Sequence, residues 1–246
     1  MYHVIAEPHC HTLVSHHAYS TIYECVQEAK RKGVEFLAIT DHGPRLPDGA
    51  HIWHFDNLYK SVPHMIDGVF LLRGAETNII DHQGTLDLPA DLLQRLDWVI
   101  ASYHPDAVTP GTFENHTECW LAIAANPDVD VIGHCGDPRF SFDHETVCRE
   151  FAKYGKIVEI NNHSEKARIG SFEVCLDIVR CCGKYGVPVV LSTDAHYAGQ
   201  IAICDNSFRI AERAEIDPTL ILNIDRDRFA TKVKEITGRN FPKQKG

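Results

Sequence analysis

The sequence lacks the marks of export, of membrane residence and of covalent cross-linking. It opens M-Y-H-V-I-A-E-P, with no basic start followed by an apolar run, so no secretory signal is expected. No stretch approaches the roughly 18 uninterrupted apolar residues of a membrane span. None of the nine cysteines forms a C-x-x-C pair, and the odd count speaks against a disulfide framework or a structural cysteine–zinc site. A reduced, cytoplasmic protein is the expectation. Positive charge is also scarce: 24 Lys+Arg face 34 Asp+Glu, a net charge of −10. That leaves no basic face for a nucleic-acid polymer or an anionic membrane, although bound cations would reverse the field locally. No low-complexity tract, charge block or Pro/Ser-rich linker divides the chain, and residues 1–246 read as a single domain.

What is present is an ordinary globular composition, 44% hydrophobic and 24% charged, with one excess: 16 histidines. A β-branched run, a polar tip and an amphipathic helix recur at a step of about 30 residues, the length of a βαβ unit. Strands are expected at Val4–Glu7, Val34–Thr40, Val69–Arg73, Trp98–Ser102, Val129–Gly133, Lys156–Ile160 and Val187–Ser192. The first helix follows a capping box at Thr21 and Glu24 and stops at Gly33. Later helices are expected at Glu114–Ala125, His144–Tyr154, Phe172–Tyr185 and Asp227–Thr237, with Asp143, Ser171 and Asp225 as N-caps. Cys25, Cys119, Cys148 and Cys175 fall in the helical segments and read as buried thiols. Such alternation means a parallel sheet, open or closed.

The strand tips argue for closure. His9 and His11 follow the first strand, Asp41 and His42 the second, Glu76 the third, His104 the fourth and His134 the fifth. Asn161 and Asn162 follow the sixth, Asp194 and His196 the seventh. Parallel α/β folds build sites at the carboxyl ends of their strands, and only a barrel brings every tip to one rim. Imidazole and carboxylate without thiolate suit Zn²⁺, Mn²⁺ or Fe²⁺. Strand alternation lets His9 and His11 face one ion, turns Cys10 away, and does the same for Asp194 and His196 as for the first pair. With His17, nine candidates result, enough for two or three ions. His51 and His54 read as solvated loop residues. His3, His16, His64, His82, His116, His144 and His163 read as structural or surface. Arg168, in a polar stretch after the sixth strand, reads either as a contact for a substrate phosphate or as a solvated loop arginine, and stands outside the expected site.

The segments H-C-H-T (9–12), H-A-Y-S (17–20), A-I-T-D-H-G (38–43), W-H-F (53–55), L-R-G-A-E-T-N (72–78), G-H-C-G-D-P (133–138), E-I-N-N (159–162) and S-T-D-A-H (192–196) resemble, in order and spacing, the polymerase and histidinol phosphatase (PHP) family. Within it the resemblance is to the small single-domain bacterial phosphatases of the YcdX type. It implies a distorted (β/α)7 TIM-like barrel with three divalent ions, zinc by preference. His9, His11, Glu76 and Asp194 would hold the first ion, and His17, His42 and His196 the second. Glu76, His104 and His134 would hold the third, with catalysis resting on Asp194, Glu76 and His196. Pro8, Pro105 and Cys135 depart from the pattern. Pro8 has no N–H for a neighbouring strand, so the first strand should end early or bend there.

Three divalent ions against two carboxylates leave a formal charge of about +4, which would draw in an anion. A metal-bound hydroxide would then attack a phosphomonoester in line, with no Ser or Cys nucleophile. The expected partner is thus a small phosphorylated substrate. Alternatives are phosphodiester or exonuclease-like cleavage of short nucleotides, histidinol-phosphate hydrolysis, amidohydrolase-type chemistry, and a metal-loaded module without turnover. A homo-oligomer is compatible with a small barrel.

Overall fold

Runs of β-branched and aromatic residues form the inner sheet of a computed structural model that describes residues 3–242. In chain order the elements are β1 (Ala6–Glu7), α1 (Ile22–Arg31), β2 (Phe36–Ile39), α2 (Ile52–Ser61), β3 (Met65–Ile66), β4 (Val69–Asn78), α3 (Ala90–Leu93), β5 (Trp98–Ser102) and α4 (Phe113–Ala125). Then come β6 (Val131–Ile132), α5 (His144–Lys153), β7 (Ile157–Asn161), α6 (Ser164–Ala167), α7 (Ser171–Tyr185), β8 (Val189–Ser192), α8 (Asp205–Arg213) and α9 (Arg226–Thr237). Seven strands pair in parallel in the order β1-β2-β4-β5-β6-β7-β8, while β3 only forms a hairpin with β4. A parallel bridge between Cys10 and Ala195 brings the first and last strands together. The fold is a nearly closed, distorted barrel of seven parallel strands ringed by helices, as the strand tips required.

Alternation sorts the barrel into layers. Phe36 and Ala38 face inward, whereas Leu37 and Ile39 face Cys25, Val26 and Ala29 of α1. The inward row is apolar low in the barrel, where Leu72, Trp98, Ile100, Val131, Ile157 and Val190 meet Phe229 and Val233 of α9. That helix plugs the base. Two residues beyond Ile100, Ile157 and Val190, and four beyond Leu72, the same inward row turns polar, at Ser102, Glu159, Ser192 and Glu76, all buried. The functional end therefore begins inside the sheet.

The seam between β1 and β8 needs separate support, because β1 stops at Glu7 before Pro8. Buried Asn223 fills it. Its amide donates to the carbonyls of Ala6 (2.9 Å) and Leu191 (2.7 Å), and its Oδ1 accepts from Leu191 N (3.0 Å). Glu7 stitches the upper part, accepting from Thr193 N at 3.1 Å and Thr193 Oγ1 at 2.5 Å.

The capping box of Thr21 and Glu24 is present, Gly33 sits at φ +73° where the first helix ends, and Asp143 and Asp225 cap α5 and α9. Two expectations are corrected. Gly170, not Ser171, is the N-cap of α7, because a φ of +86° there lets Ser171 enter the first turn. The His51–His54 segment is not a loop: His51 caps α2 by accepting from Trp53 N, and His54 lies within the helix. The α2 segment was unread because two histidines and a tryptophan obscure its apolar face, of which only Phe55 and Leu58 are buried. As a test of the seam, Asn223→Ala should lower the unfolding free energy by roughly 2–4 kcal/mol, since it strands buried backbone groups on both sides. Urea denaturation would measure it, and a change below about 0.5 kcal/mol would contradict this role.

Candidate metal centre

Glu76 is the hub. Its side chain is 0% exposed, projecting inward from β4 at the level where the strands end. Its Oε2 lies 2.7 Å from His42 Nδ1, 3.3 Å from His9 Nε2 and 3.6 Å from His11 Nε2. Its Oε1 lies 2.8 Å from His134 Nε2 and 3.4 Å from His104 Nε2. Asp194 Oδ1 is 3.0 Å from His11 Nε2 and 3.6 Å from His9 Nε2. The His17 ring stacks 5.2 Å from that of His42 and 4.3 Å from that of His196. All nine residues singled out in the sequence thus meet at one end of the barrel.

Three tips reach the hub by breaking regular geometry. Ala6 and His9 both face inward, so one step of alternation is lost at Pro8. Val131 faces inward and strict alternation would turn His134 out, but His134 adopts φ +22° and its ring reaches Glu76. Gly133 must precede it, since a Cβ there would overlap Ser102 Oγ. Asp194 also has a positive φ, +53°. Cys10 packs with its sulfur 3.8 Å from that of Cys25, away from the cluster.

The atoms left over identify what the cluster is built to hold. His11 Nδ1, His134 Nδ1 and His196 Nε2 are buried without a hydrogen-bond partner, and Glu76 Oε2 and His42 Nδ1, though 2.7 Å apart, are not aligned for a hydrogen bond. Such a set of unpaired groups is costly unless an ion satisfies it. Three groups, His9/His11/Glu76, His11/His42/His196 and His42/Glu76/His104, each hold their ligand atoms within 4.8 Å. Imidazole with carboxylate is the donor set of a borderline divalent ion. Burial pushes the Glu76 and Asp194 carboxyls up, but the imidazoles around them, His9 foremost, hold both well below the usual carboxylate range. Burial, joined by His42 and His196, pushes His11 down to about 3, so it stays neutral and able to ligate.

Around this layer, further polar groups fix the rings. His104 Nδ1 lies 2.7 Å from Asn78 Oδ1, and His196 Nδ1 donates to the Asp194 carbonyl at 2.8 Å. His17 Nδ1 pairs with Asp48. Asp41 accepts from Thr12 N, Thr12 Oγ1 and Ser15 Oγ, each at 2.8 Å, while Ser15 Oγ accepts from His42 N. His54, expected in solvent, faces Asp41 at 3.2 Å.

A cavity of about 620 Å³ opens over the cluster, walled by His17, Asp48, His104, Asp106 and His196. His163 and Arg168 also line it, against the expectation that both lay outside the site. The short α6 and its loop fold Arg168 inward until it is only 9% exposed, and among the described residues its guanidinium makes one hydrogen bond, from Nη1 to Ser164 Oγ at 3.4 Å. Periodicity could not show this, because a four-residue helix carries no pattern. The buried carboxylates Glu7 and Glu159 had a signal: each interrupts an apolar strand, in V-I-A-E-P and I-V-E-I-N.

The pattern of the PHP domain matches residues 7–163. The chain belongs to the PHP family. A "Probable phosphatase" of Caldicellulosiruptor saccharolyticus is 43% identical over 235 residues, spanning 96% of this chain and 98% of the relative. Another, from Acetivibrio thermocellus, is 40% identical over 230 residues, spanning 94% and 95%. Among solved structures, the histidinol phosphate phosphatase of Lactococcus lactis, complexed with zinc, L-histidinol and phosphate, superposes with a TM-score of 0.60. It is 17% identical and covers 86% of this chain and 94% of its own, a likeness of fold. This PHP protein is an enzyme of the hydrolase class, a phosphoric ester hydrolase like those relatives. No helix among its described residues is long and apolar enough to cross a membrane.

The depressed His11 pKa gives a signed expectation for chelator-treated protein. Between about 3 and 6.5 the unfolded chain binds the proton and the folded one does not, so stability falls as pH falls. Relative to His11→Gln, the parent should lose about 2 kcal/mol between pH 7 and pH 5 in chemical denaturation. Parallel pH profiles for the two proteins would contradict the assignment.

Proposed function

We propose that this protein hydrolyses small phosphomonoesters at a centre of three divalent ions of the zinc type. His9, His11, Glu76 and Asp194 hold the first ion. His17, His42 and His196 hold the second, and Glu76, His104 and His134 the third. Manganese or iron would fit the same donors. The observation that carries this reading is Glu76, whose two oxygens face five imidazoles beneath an open cavity. When bound, such ions lower the pKa of water and neutralise phosphate charge.

The chain's own groups divide the remaining work. Glu76 and Asp194 keep the ligand cage negatively charged, and Asp194, which also lines the cavity, orients the attacking water by accepting a hydrogen bond from it. His196, held at Nδ1 by the Asp194 carbonyl, presents Nε2 to the same space. Arg168 offers its guanidinium to the phosphate oxygens from the wall. Asp48 and Asp106 in the wall disfavour a long polyanionic strand and favour a small ester. No nucleophilic serine or cysteine is required, and Cys10, the nearest thiol in sequence, is buried behind the site. The whole chain acts as one phosphatase unit. Its free thiols suit the reducing cytoplasm.

The deciding measurement is metal stoichiometry by mass spectrometry on untagged, chelator-free protein, with turnover of phosphomonoesters and phosphodiesters on the same sample. About three ions per chain are expected, together with monoester turnover that is lost on chelation and regained on adding metal. One ion or none in folded protein would overturn the three-ion centre, and a preference for diesters would overturn the substrate class. Asp194→Asn should reduce turnover by at least about 10²-fold. Arg168→Ala should cost roughly 10–100-fold in kcat/KM with metal content unchanged, the size of a lost charge-assisted hydrogen bond. An unchanged kcat/KM in that variant would remove Arg168 from the site.

A further inference from the structure

Glu159 stands beside the cluster, inward on β7, with its side chain 1% exposed. Four polar groups converge on it. Oε1 lies 2.6 Å from His9 Nδ1 and accepts from Ser192 Oγ at 2.6 Å and Asn161 Nδ2 at 3.3 Å, while Oε2 accepts from the backbone N–H of His134 at 2.6 Å. Two of these groups, the His134 N–H and the Asn161 amide nitrogen, can only donate, and one reaches each oxygen, so Glu159 accepts at both, as an ionised carboxylate does.

We infer that Glu159 is a positioning residue that fixes two ligand arms at once, the His9 ring and the His134 backbone. The inference rests on the metal-centre reading above. At His9, an acceptor at Nδ1 fixes the Nδ1–H tautomer and leaves the Nε2 lone pair facing Glu76, His11 and Asp194. At His134, the bond to Oε2 anchors a residue held at φ +22°, a conformation that residues other than glycine rarely adopt. The two arms belong to different ion positions that share Glu76. Glu159 therefore couples them, and disturbing it should weaken both.

Glutamine shows why the charge matters. It has nearly the same shape but a single acceptor oxygen, so its NH₂ must face either His134 N–H or the His9 side. If it faces His9, the ring can accept at Nδ1 only by moving its proton to Nε2, the atom that points at the ion.

Two readouts test this without relying on activity. The first is histidine ¹⁵N NMR on chelator-stripped wild type and Glu159→Gln, at a pH raised until the His9 ring is neutral. Wild-type His9 should show the Nδ1–H tautomer, and the variant should lose either that tautomer or the hydrogen-bonded shift of the His134 amide. The second is zinc titration against a chromophoric chelator, in which Glu159→Gln should lose roughly 10–100-fold in affinity at two ion positions. An Nε2–H tautomer at His9 in the wild type, or wild-type zinc affinity in the variant, would overturn the inference. The wild-type spectrum needs no variant to fold. It also separates the two claims: Nδ1–H at His9 in a protein that binds no zinc would sink the metal centre while leaving the tautomer assignment standing, whereas tight zinc binding with Nε2–H would sink the role of Glu159 alone.

Discussion

Everything at the carboxyl end of this barrel is arranged around one carboxylate with no access to water. A buried ionised group carries a desolvation cost of several kcal/mol, and only close opposite charge or good hydrogen bonds offset it. Glu76 has five imidazoles around it, and one of its oxygens has no hydrogen bond at all. Imidazoles packed ring to ring, such as His11 and His42 at 4.2 Å between centroids, cannot all be protonated together. The pKa shifts express this conflict, with His11 driven down and His9 driven up beside it. Divalent cations resolve it, because neutral imidazoles then become ligands instead of competing bases. The acidic balance of the chain, read alone, argued against anionic partners. At the cavity the metal charge would dominate, and the global sign loses its meaning there.

Much of this was legible because the barrel's period is simple. β-branched runs mark the strands, and β5 falls on Trp98–Ser102 as expected. The tips name the nine clustered residues because chemistry at a strand end stands out against apolar strands. Strand ends were less legible. β6 shrinks to Val131–Ile132 since Gly133 and His134 leave the ladder to aim the ring inward, a local choice set by tertiary contacts. β4 runs on to Asn78, beyond Arg73, because Glu76 and Thr77 stay paired with β5 while serving the site. Regular pairing and function coincide there, and the change from apolar to polar residues looks like an end when it is only a change of layer.

What stayed hidden were groups whose role depends on partners distant in sequence. His54 meets Asp41, and Asn223 meets Ala6 and Leu191. No window of local sequence contains those pairs. Arg168 is set inward by a loop with a glycine at positive φ two residues on. Glu7 and Glu159 are a different case, since a lone acid in an apolar strand is itself a warning that burial must be compensated. Burial pushes the Glu7 carboxyl up to about 6 even with its donors in place, so that compensation is incomplete.

The uneven distribution of strain follows the same logic. Among the described residues, five other than glycine have positive φ, and two of them, His134 and Asp194, belong to the cluster. Strained conformations persist only where surrounding structure over-determines them. Here the restraints are hydrogen bonds with a buried acid and an amide: His134 N donates to Glu159 Oε2, and Asn161 Nδ2 donates to Asp194 Oδ2 at 3.1 Å. Those groups stand on β7, whose lower residue Ile157 packs against the apolar plug that α9 completes. The rigid base and the strained rim are thus two ends of the same strands. Stability gained by burying Phe229 and Trp98 low in the barrel holds in place an arrangement of charge and backbone at the top that could not persist alone.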